Sequence, residues 1–180
     1  MAKIVIVLYR EKYKCEFMRE VVDFDFKSKH KISVAMGWDN NIYYSLNKAL
    51  LYDDKLDFNK RLPFSGVGYD YILFIGDENA CLNDDKINVL IDSNKDIISV
   101  DNKNIRLKNV DSENIIEIKN CFFDFTLVKK GVLEKLKYPW FEPIYKDTDK
   151  GVDFLGAFDS FYNRINKLGI KSYINLNVRI

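Results

Sequence analysis

The stretch that most constrains the fold runs from Gly68 to Val100, GYDYILFIGDENACLNDDKINVLIDSNKDIISV. Within it, Tyr71-Ile-Leu-Phe-Ile75 is unbroken apolar, rich in β-branched and aromatic side chains, and too short for an independent helix. It predicts a strand buried on both faces. The strand ends at Gly76-Asp77-Glu78. Asn83-Asp84-Asp85 then offers an N-cap and acidic first-turn residues for a helix through Ile91, and Lys95 to Val100 predicts the next strand. Strand, carboxylate pair, helix and strand in this order predict an open α/β sheet, whose ligands sit outside the carboxyl ends of the strands. Asp77 and Glu78 are thereby placed at such a crevice.

The flanking sequence extends the same pattern. Lys3 to Tyr9 predicts the first strand of a central sheet, and Glu11 to about Phe24 an amphipathic helix with Cys15, Phe17, Met18, Val21 and Val22 inward. Tyr9-Arg10 therefore lies at another strand exit. Lys31 to Met36 predicts a second strand, and Gly37-Trp38-Asp39-Asn40 the turn into a helix that Asp39 or Asn40 can cap. Pro63, Gly66 and Gly68 mark Leu56 to Gly68 as loop. Beyond Val100, short alternating runs at Ile105 to Leu107 and Ile115 to Ile118 predict two small strands, with a hairpin-like turn at Asn102-Lys103-Asn104. Cys121 to Val128 predicts a buried strand and Lys129 to Leu136 a short helix stopped at Tyr138-Pro139. Val152 to Leu168 predicts a helix ending at Gly169, with Phe154, Phe158, Phe161 and Ile165 on one stripe, and Lys171 to Val178 a last strand.

A chain of 180 residues usually forms one domain, and 47% apolar residues supply a core without disulfides. The expectation is a single domain over residues 1–180. A net charge of +1 provides no field for a polyanion, so nucleic acid and anionic membrane are poor partners. Cys15, Cys81 and Cys121 are odd in number and far apart, which suits small buried hydrophobes in a reducing, cytoplasmic setting. No run approaches the roughly 18 to 20 apolar residues of a membrane span, and the N-terminal apolar run is too short for a secretory signal. His30, the one histidine, lies in a polar basic stretch and is expected on the surface. Zinc chemistry and a Ser-His-Asp triad therefore have little material, and no phosphate-cradling glycine motif is present.

Several stretches in order resemble glycosyltransferases of the A-type fold, family 2 in particular. Tyr71 to Val100 is similar to the family's strand, Asp-x-Asp, helix and strand. Ser33 to Asp54 resembles its second strand and helix, with Ser45-Leu46-Asn47-Lys48-Ala49 at the Ala-Arg-Asn-x-Ala run. Phe125 to Pro143 is similar to its later strand, helix and Pro-Trp-Phe exit, and Gly156 to Ile180 to its late helix, Arg, Gly and last strand. The resemblance implies a single-domain, Rossmann-like A-type sandwich with a mostly parallel central sheet flanked by helices. It further implies transfer of a sugar from a nucleoside-diphosphate-sugar donor to a glycan, lipid or protein acceptor.

On that reading Asp77 and Glu78 hold a divalent cation, Mn or Mg, which neutralises the departing diphosphate and needs only one or two protein carboxylates. Asp159 or Asp153 serves as the base that deprotonates the acceptor hydroxyl. Tyr9 stacks on the base and Arg10 pairs with phosphate, although a ring covering the sheet end and a solvated Arg explain these residues equally. Asp39 accepts from a ribose hydroxyl or base amide, Asn47 and Arg164 match family positions, and Trp140 offers a stacking platform. The chain departs from the pattern at Gly76, where the first Asp of the motif would stand, at Ala157-Phe158 in place of Glu-Asp, and at Phe122-Phe123-Asp124, which would crowd a sugar. The C-terminal metal-binding His of the family has no counterpart. Three functions remain open: an active transferase, the same fold binding a nucleotide, glycan or protein without turnover, and another nucleotide-handling enzyme such as a nucleotidyltransferase.

Overall fold

Alternation along the strands sorts the apolar side chains into two cores. The computed structural model describes residues 1–10, 12–51, 57–76, 80–101, 114–119, 123–149 and 151–179. In chain order its elements are β1 (Lys3–Leu8), α1 (Cys15–Lys27), β2 (Lys31–Met36), α2 (Ile42–Leu50), β3 (Tyr71–Ile75), α3 (Asp84–Asp92), β4 (Ile97–Asp101), β5 (Ile115–Ile118), β6 (Phe125–Lys129), β7 (Ile144–Thr148), β8 (Gly151–Leu155), α4 (Ala157–Lys167) and β9 (Ser172–Arg179). Ile4, Ile6 and Leu8 of β1 face α1 and α3 with Phe17, Val21, Ile87 and Leu90. Val5 and Val7 face the other way, onto Leu46 and Leu50 of α2 and Phe161 and Ile165 of α4. Helices thus cover both faces of one sheet, which gives a single α/β domain.

The sheet is not mostly parallel. Its order is β2-β1-β3-β6-β4-β9-β5. The β1–β2, β1–β3 and β4–β9 pairings are parallel, whereas β3–β6, β4–β6 and β5–β9 are antiparallel. A run such as FTLVK is buried on both faces whichever way it runs, so its apolar composition does not encode direction. The consequence matters for any ligand. Because β6 runs against β3, its start pairs with the end of β3 (Ile75 with Phe125), and the exits of β1, β2 and β3 share one end of the sheet with Phe123 and Asp124.

Other elements depart from expectation locally. Residues 152–155 form β8, the second strand of a hairpin with β7, and the helix begins at Ala157. Gly151, at φ +117°, opens that strand in a conformation side chains avoid. The expected helix at 129–136 is one 3₁₀ turn over Leu133–Lys135, because Lys129 still belongs to β6. Asn41, not Asp39 or Asn40, caps α2 by accepting from the amides of Tyr43 and Tyr44. Cys15 and Cys81 are exposed rather than buried, and Cys121 lies outside the described residues. His30 is half-buried, its Nδ1 accepting from the Ala2 amide and its Nε2 facing Asn88 Oδ1 at 3.1 Å. The strand expected at Ile105 to Leu107 and its turn lie outside the described residues.

At the start of α3, Asp84 accepts from Ser28 Oγ at 2.6 Å and from the Lys29 amide at 2.7 Å. Desolvation pushes this carboxyl upward, but those hydrogen bonds and the nearby His30 and Lys29 outweigh it and hold it below its ordinary value. A folded-state value below the unfolded one contributes stability above the unfolded value, and that contribution is lost as pH falls through the folded one. Asp84→Ala is therefore expected to lower the thermal midpoint at neutral pH, with the deficit closing in acid below the carboxylate range. Melting curves of both proteins across pH check this.

Candidate functional site

The exits of β1 and β2 frame a hollow of about 420 Å³, lined by Tyr9, Arg10, Asp39, Asn40, Ile42, Asp124 and Phe158. Its volume lies in the lower part of the roughly 300–1,000 Å³ range of small-molecule sites. It sits at the carboxyl ends of the parallel strands, the place expected from the strand-carboxylate-helix unit.

The wall is held by backbone ties between exits. Ser45, wholly buried in α2, places Oγ 2.8 Å from the Tyr9 carbonyl and 2.7 Å from that of Gly37. A Cβ at Gly37 would lie 1.9 Å from the Ser45 carbonyl oxygen, so only glycine lets α2 approach the β2 exit this closely. Tyr13 Oη donates to the Ile75 carbonyl and accepts from the Tyr9 and Arg10 amides, joining the β1 and β3 exits. Tyr43 Oη of α2 donates to the Leu155 carbonyl at 2.6 Å, tying α2 to the end of β8. Desolvation, then the charge of Asp159, raises the Tyr43 hydroxyl above its ordinary pKa.

The floor is aromatic. Tyr9 is buried, its ring edge-on to Phe158 and its Oη donating to the Phe123 carbonyl at 3.1 Å. Phe158 stacks on Phe123 with centroids 4.9 Å apart. Phe123 is the hub beneath, in contact with Phe74, Phe141, Phe161 and Tyr162. It supports the hollow from below instead of filling it. Phe122 lies outside the described residues.

Gly76 has a direct geometric cause. A Cβ there would lie 2.0 Å from Tyr9 Oη and 3.2 Å from Asp124 Oδ1. The tyrosine occupies the space that a side chain at position 76 would need. A carboxylate from the entry of β6 reaches the same space.

The expected site residues separate into two groups. Tyr9, Arg10 and Asp39 line the hollow. Tyr9 serves as its buried floor, Arg10 is exposed on the rim, and Asp39 accepts from the Asn41 amide at 2.7 Å in the turn before α2. The others are occupied elsewhere. Asn47 is buried, donates to the Tyr43 and Phe141 carbonyls and accepts from the Phe141 amide, clamping the 141 loop to α2. Trp140 is wholly buried, so it is core and not a stacking platform. Arg164 donates to the Lys137, Pro139 and Trp140 carbonyls and pairs with Glu142 at 3.4 Å, which commits its guanidinium to holding that loop. Asp153 projects from the exposed hairpin, where it accepts from the Phe154 amide. Asp159 is exposed in the first turn of α4, beside Phe158 and close enough to act on Tyr43. Asp77 and Glu78 lie outside the described residues.

Comparison with known proteins adds the fold alone. No family model matches the sequence, and no curated protein matches it. Among solved structures the chain is similar to the one titled "Crystal Structure of A197 from STIV", at 17% identity and a TM-score of 0.53, over 98% of this chain and 82% of that one. The likeness extends over nearly the whole α/β domain.

Asp124, Asn40, Ile42 and Phe158 line the hollow without having been singled out for it. Asp124 had a signal in the sequence: a lone carboxylate abutting a buried strand must emerge at one end of it. A larger hollow, about 560 Å³, separates α1 from the start of α3. Glu20 and Asp84 on its wall already accept from the Leu82 and Lys29 amides, and it lies on the helical layer, away from the strand exits.

Gly76→Ala is expected to cost about 1–3 kcal/mol through overpacking against Tyr9. Tyr9→Phe in the same chain should recover part of that loss by removing the hydroxyl. A double-mutant cycle from urea unfolding checks the coupling.

Proposed function

We propose that this protein is a glycosyltransferase that seats a nucleoside-diphosphate sugar in the hollow over the β1, β2 and β3 exits. The observation that carries the reading is the hollow itself: a space of about 420 Å³ at the strand exits that combines an exposed guanidinium, two carboxylates and an aromatic floor. Arg10 suits a diphosphate, since a guanidinium forms paired, charge-assisted hydrogen bonds to phosphate oxygens. Asp39 is placed to accept from a ribose hydroxyl or base amide, with Asn40 beside it.

Transfer requires the acceptor oxygen to attack the anomeric carbon as the bond from that carbon to the diphosphate oxygen breaks. The bonding pair leaves with the diphosphate, and the acceptor proton passes to a carboxylate. Asp159, in the first turn of α4 next to the lining residue Phe158, is our candidate for that base. Among the described residues no group of three metal-ligating side chains occurs, but a Mn or Mg ion bound partly by donor phosphates needs only one or two carboxylates. Asp124 fits that need together with Asp77 and Glu78. Such an ion would supply charge neutralisation for the departing diphosphate. The acceptor is a glycan, lipid or protein. Among the described residues no helix is long and apolar enough to cross a membrane.

One observation favours a second reading, binding without turnover. Tyr9 fills the space of a carboxylate at position 76, so the acidic motif is incomplete at its first position.

A panel of UDP- and GDP-linked sugars with manganese is expected to raise the melting temperature. A ligand at a hundred times its Kd stabilises a fold by about 2.7 kcal/mol. Arg10→Ala should weaken that binding about 10- to 100-fold, the loss expected for a charged hydrogen bond. Asp124→Asn should abolish donor hydrolysis while the ligand-free melting temperature stays within about a degree or two of the native protein. A shift without any hydrolysis would select the second reading, and no shift with any donor would overturn both.

A further inference from the structure

Helix α4 starts without a side-chain cap. Its N-cap position is Gly156, which has nothing to offer the free amides of the first turn. The Ser160 amide bonds the Gly156 carbonyl at 2.8 Å and closes that turn, but this bond lies within the helix and does not fix where the helix begins. Ties from outside do so, and two are present. Ser160 Oγ donates to the Glu142 carbonyl, and Tyr43 Oη of α2 donates to the Leu155 carbonyl. Ser160 is wholly buried, so its tie holds the core side of the turn. Asp159 is exposed on the same turn.

The carbonyl that Tyr43 grips immediately precedes the cap. A Cβ at Gly156 would meet Asp159 Oδ2 at 3.6 Å, so the carboxylate folds back over the same Leu155–Gly156 junction. Its charge reaches the Tyr43 hydroxyl, where, after desolvation, it is the second cause that raises the pKa. The chain neighbours point the same way: Ile42 precedes Tyr43, Phe158 precedes Asp159, and both Ile42 and Phe158 line the hollow. Tyr43 and Phe158 are half-buried against one core. A single side chain on α2 thus holds the junction from which α4 supplies both a lining residue and a carboxylate.

We propose that Tyr43 is a positioning residue: its hydroxyl fixes the β8–α4 junction and thereby the place of Asp159 relative to the hollow, a role that rests on Asp159 being the base of sugar transfer. Misplacing a catalytic group by about 1 Å can cost about 100-fold in rate. A tie at the residue before the helix cap therefore bears on turnover more than on folding. Phenylalanine at position 43 keeps the ring against the core and removes only the hydroxyl. Arg10 and Asp39, the residues assigned to the donor, stand at the β1 exit and in the turn before α2, so they do not depend on this bond. Loss of the hydroxyl is thus expected to separate turnover from donor binding.

Hydrolysis of UDP- and GDP-linked sugars with manganese tests this on the full chain, with water in the acceptor's place. The water oxygen bonds to the anomeric carbon, the diphosphate leaves with the electron pair, and the proton passes to Asp159. Tyr43→Phe should lower kcat about 10- to 100-fold while the donor KM stays within about twofold and the circular dichroism stays native. In an Asp159→Asn background the same substitution should cost nothing further, because Tyr43 acts through that carboxylate. Hydrogen exchange needs no turnover: the Ser160 amide should exchange about fivefold faster in Tyr43→Phe, the change expected for one lost neutral hydrogen bond, with the amides of β1 and β3 unaltered. An unchanged kcat overturns the proposal. So does a loss carried by the donor KM, a full further loss in the Asp159→Asn background, or an unaltered Ser160 exchange. A native protein that turns over no donor contradicts the glycosyltransferase reading instead, and the Ser160 exchange then decides the tie by itself.

Discussion

The hydrogen bond from Tyr9 Oη to the Phe123 carbonyl holds together the end of the sheet on which everything else depends. It joins the exit of β1 to the entry of β6 across the exit of β3. To make it, the tyrosine must pass through the space over Gly76, and its ring then rests edge-on against Phe158 of α4. Three strand ends and one helix are thereby fixed by a single buried side chain. Aromatic pairs of this kind contribute about 0.5–1.5 kcal/mol each beyond their buried area, and Phe123 takes part in several of them.

That arrangement explains why the hollow has the shape it has. Beneath it the aromatic hub is closed. Above it stand groups that water can reach, Arg10, Asp39 and Asp124. The loop from Lys137 to Glu142 contributes no ligand group of its own to the hollow. It is pinned instead by Arg164, which donates to the Lys137 and Trp140 carbonyls, and by Asn47, which satisfies the buried Phe141 amide that would otherwise lack a partner. Residues with the chemistry to bind phosphate or sugar are here spent on positioning the wall.

Helices α1 to α3 and the first three strands were legible in the sequence because each depends on local information: an apolar run, a cap, a period. Strand direction was not. β6 is as apolar as a parallel strand, and its antiparallel insertion between β3 and β4 follows from the path of the chain and not from its composition. The hairpin of β7 and β8 was hidden because Phe154 falls at helical spacing from Phe158 and Phe161, a coincidence that the break at Gly156 resolves. For the site, Arg10 and Asp39 were placed by their position after strands, and both line the hollow. Asn47, Trp140 and Arg164 were misread because residue type does not reveal whether a polar group faces a cavity or a carbonyl. Asp124 was overlooked because its value depends on the reversed direction of β6.

The most direct test of a nucleotide-sugar seat over the strand exits is paramagnetic broadening in an amide-resolved NMR spectrum, recorded with manganese in the presence and absence of UDP- and GDP-sugars. The account predicts donor-dependent loss of intensity confined to amides around Tyr9, Arg10, Asp39 and Asp124, with α1, α3 and β5 unaffected. Broadening centred on the helical layer, or a spectrum indifferent to every donor, would contradict it.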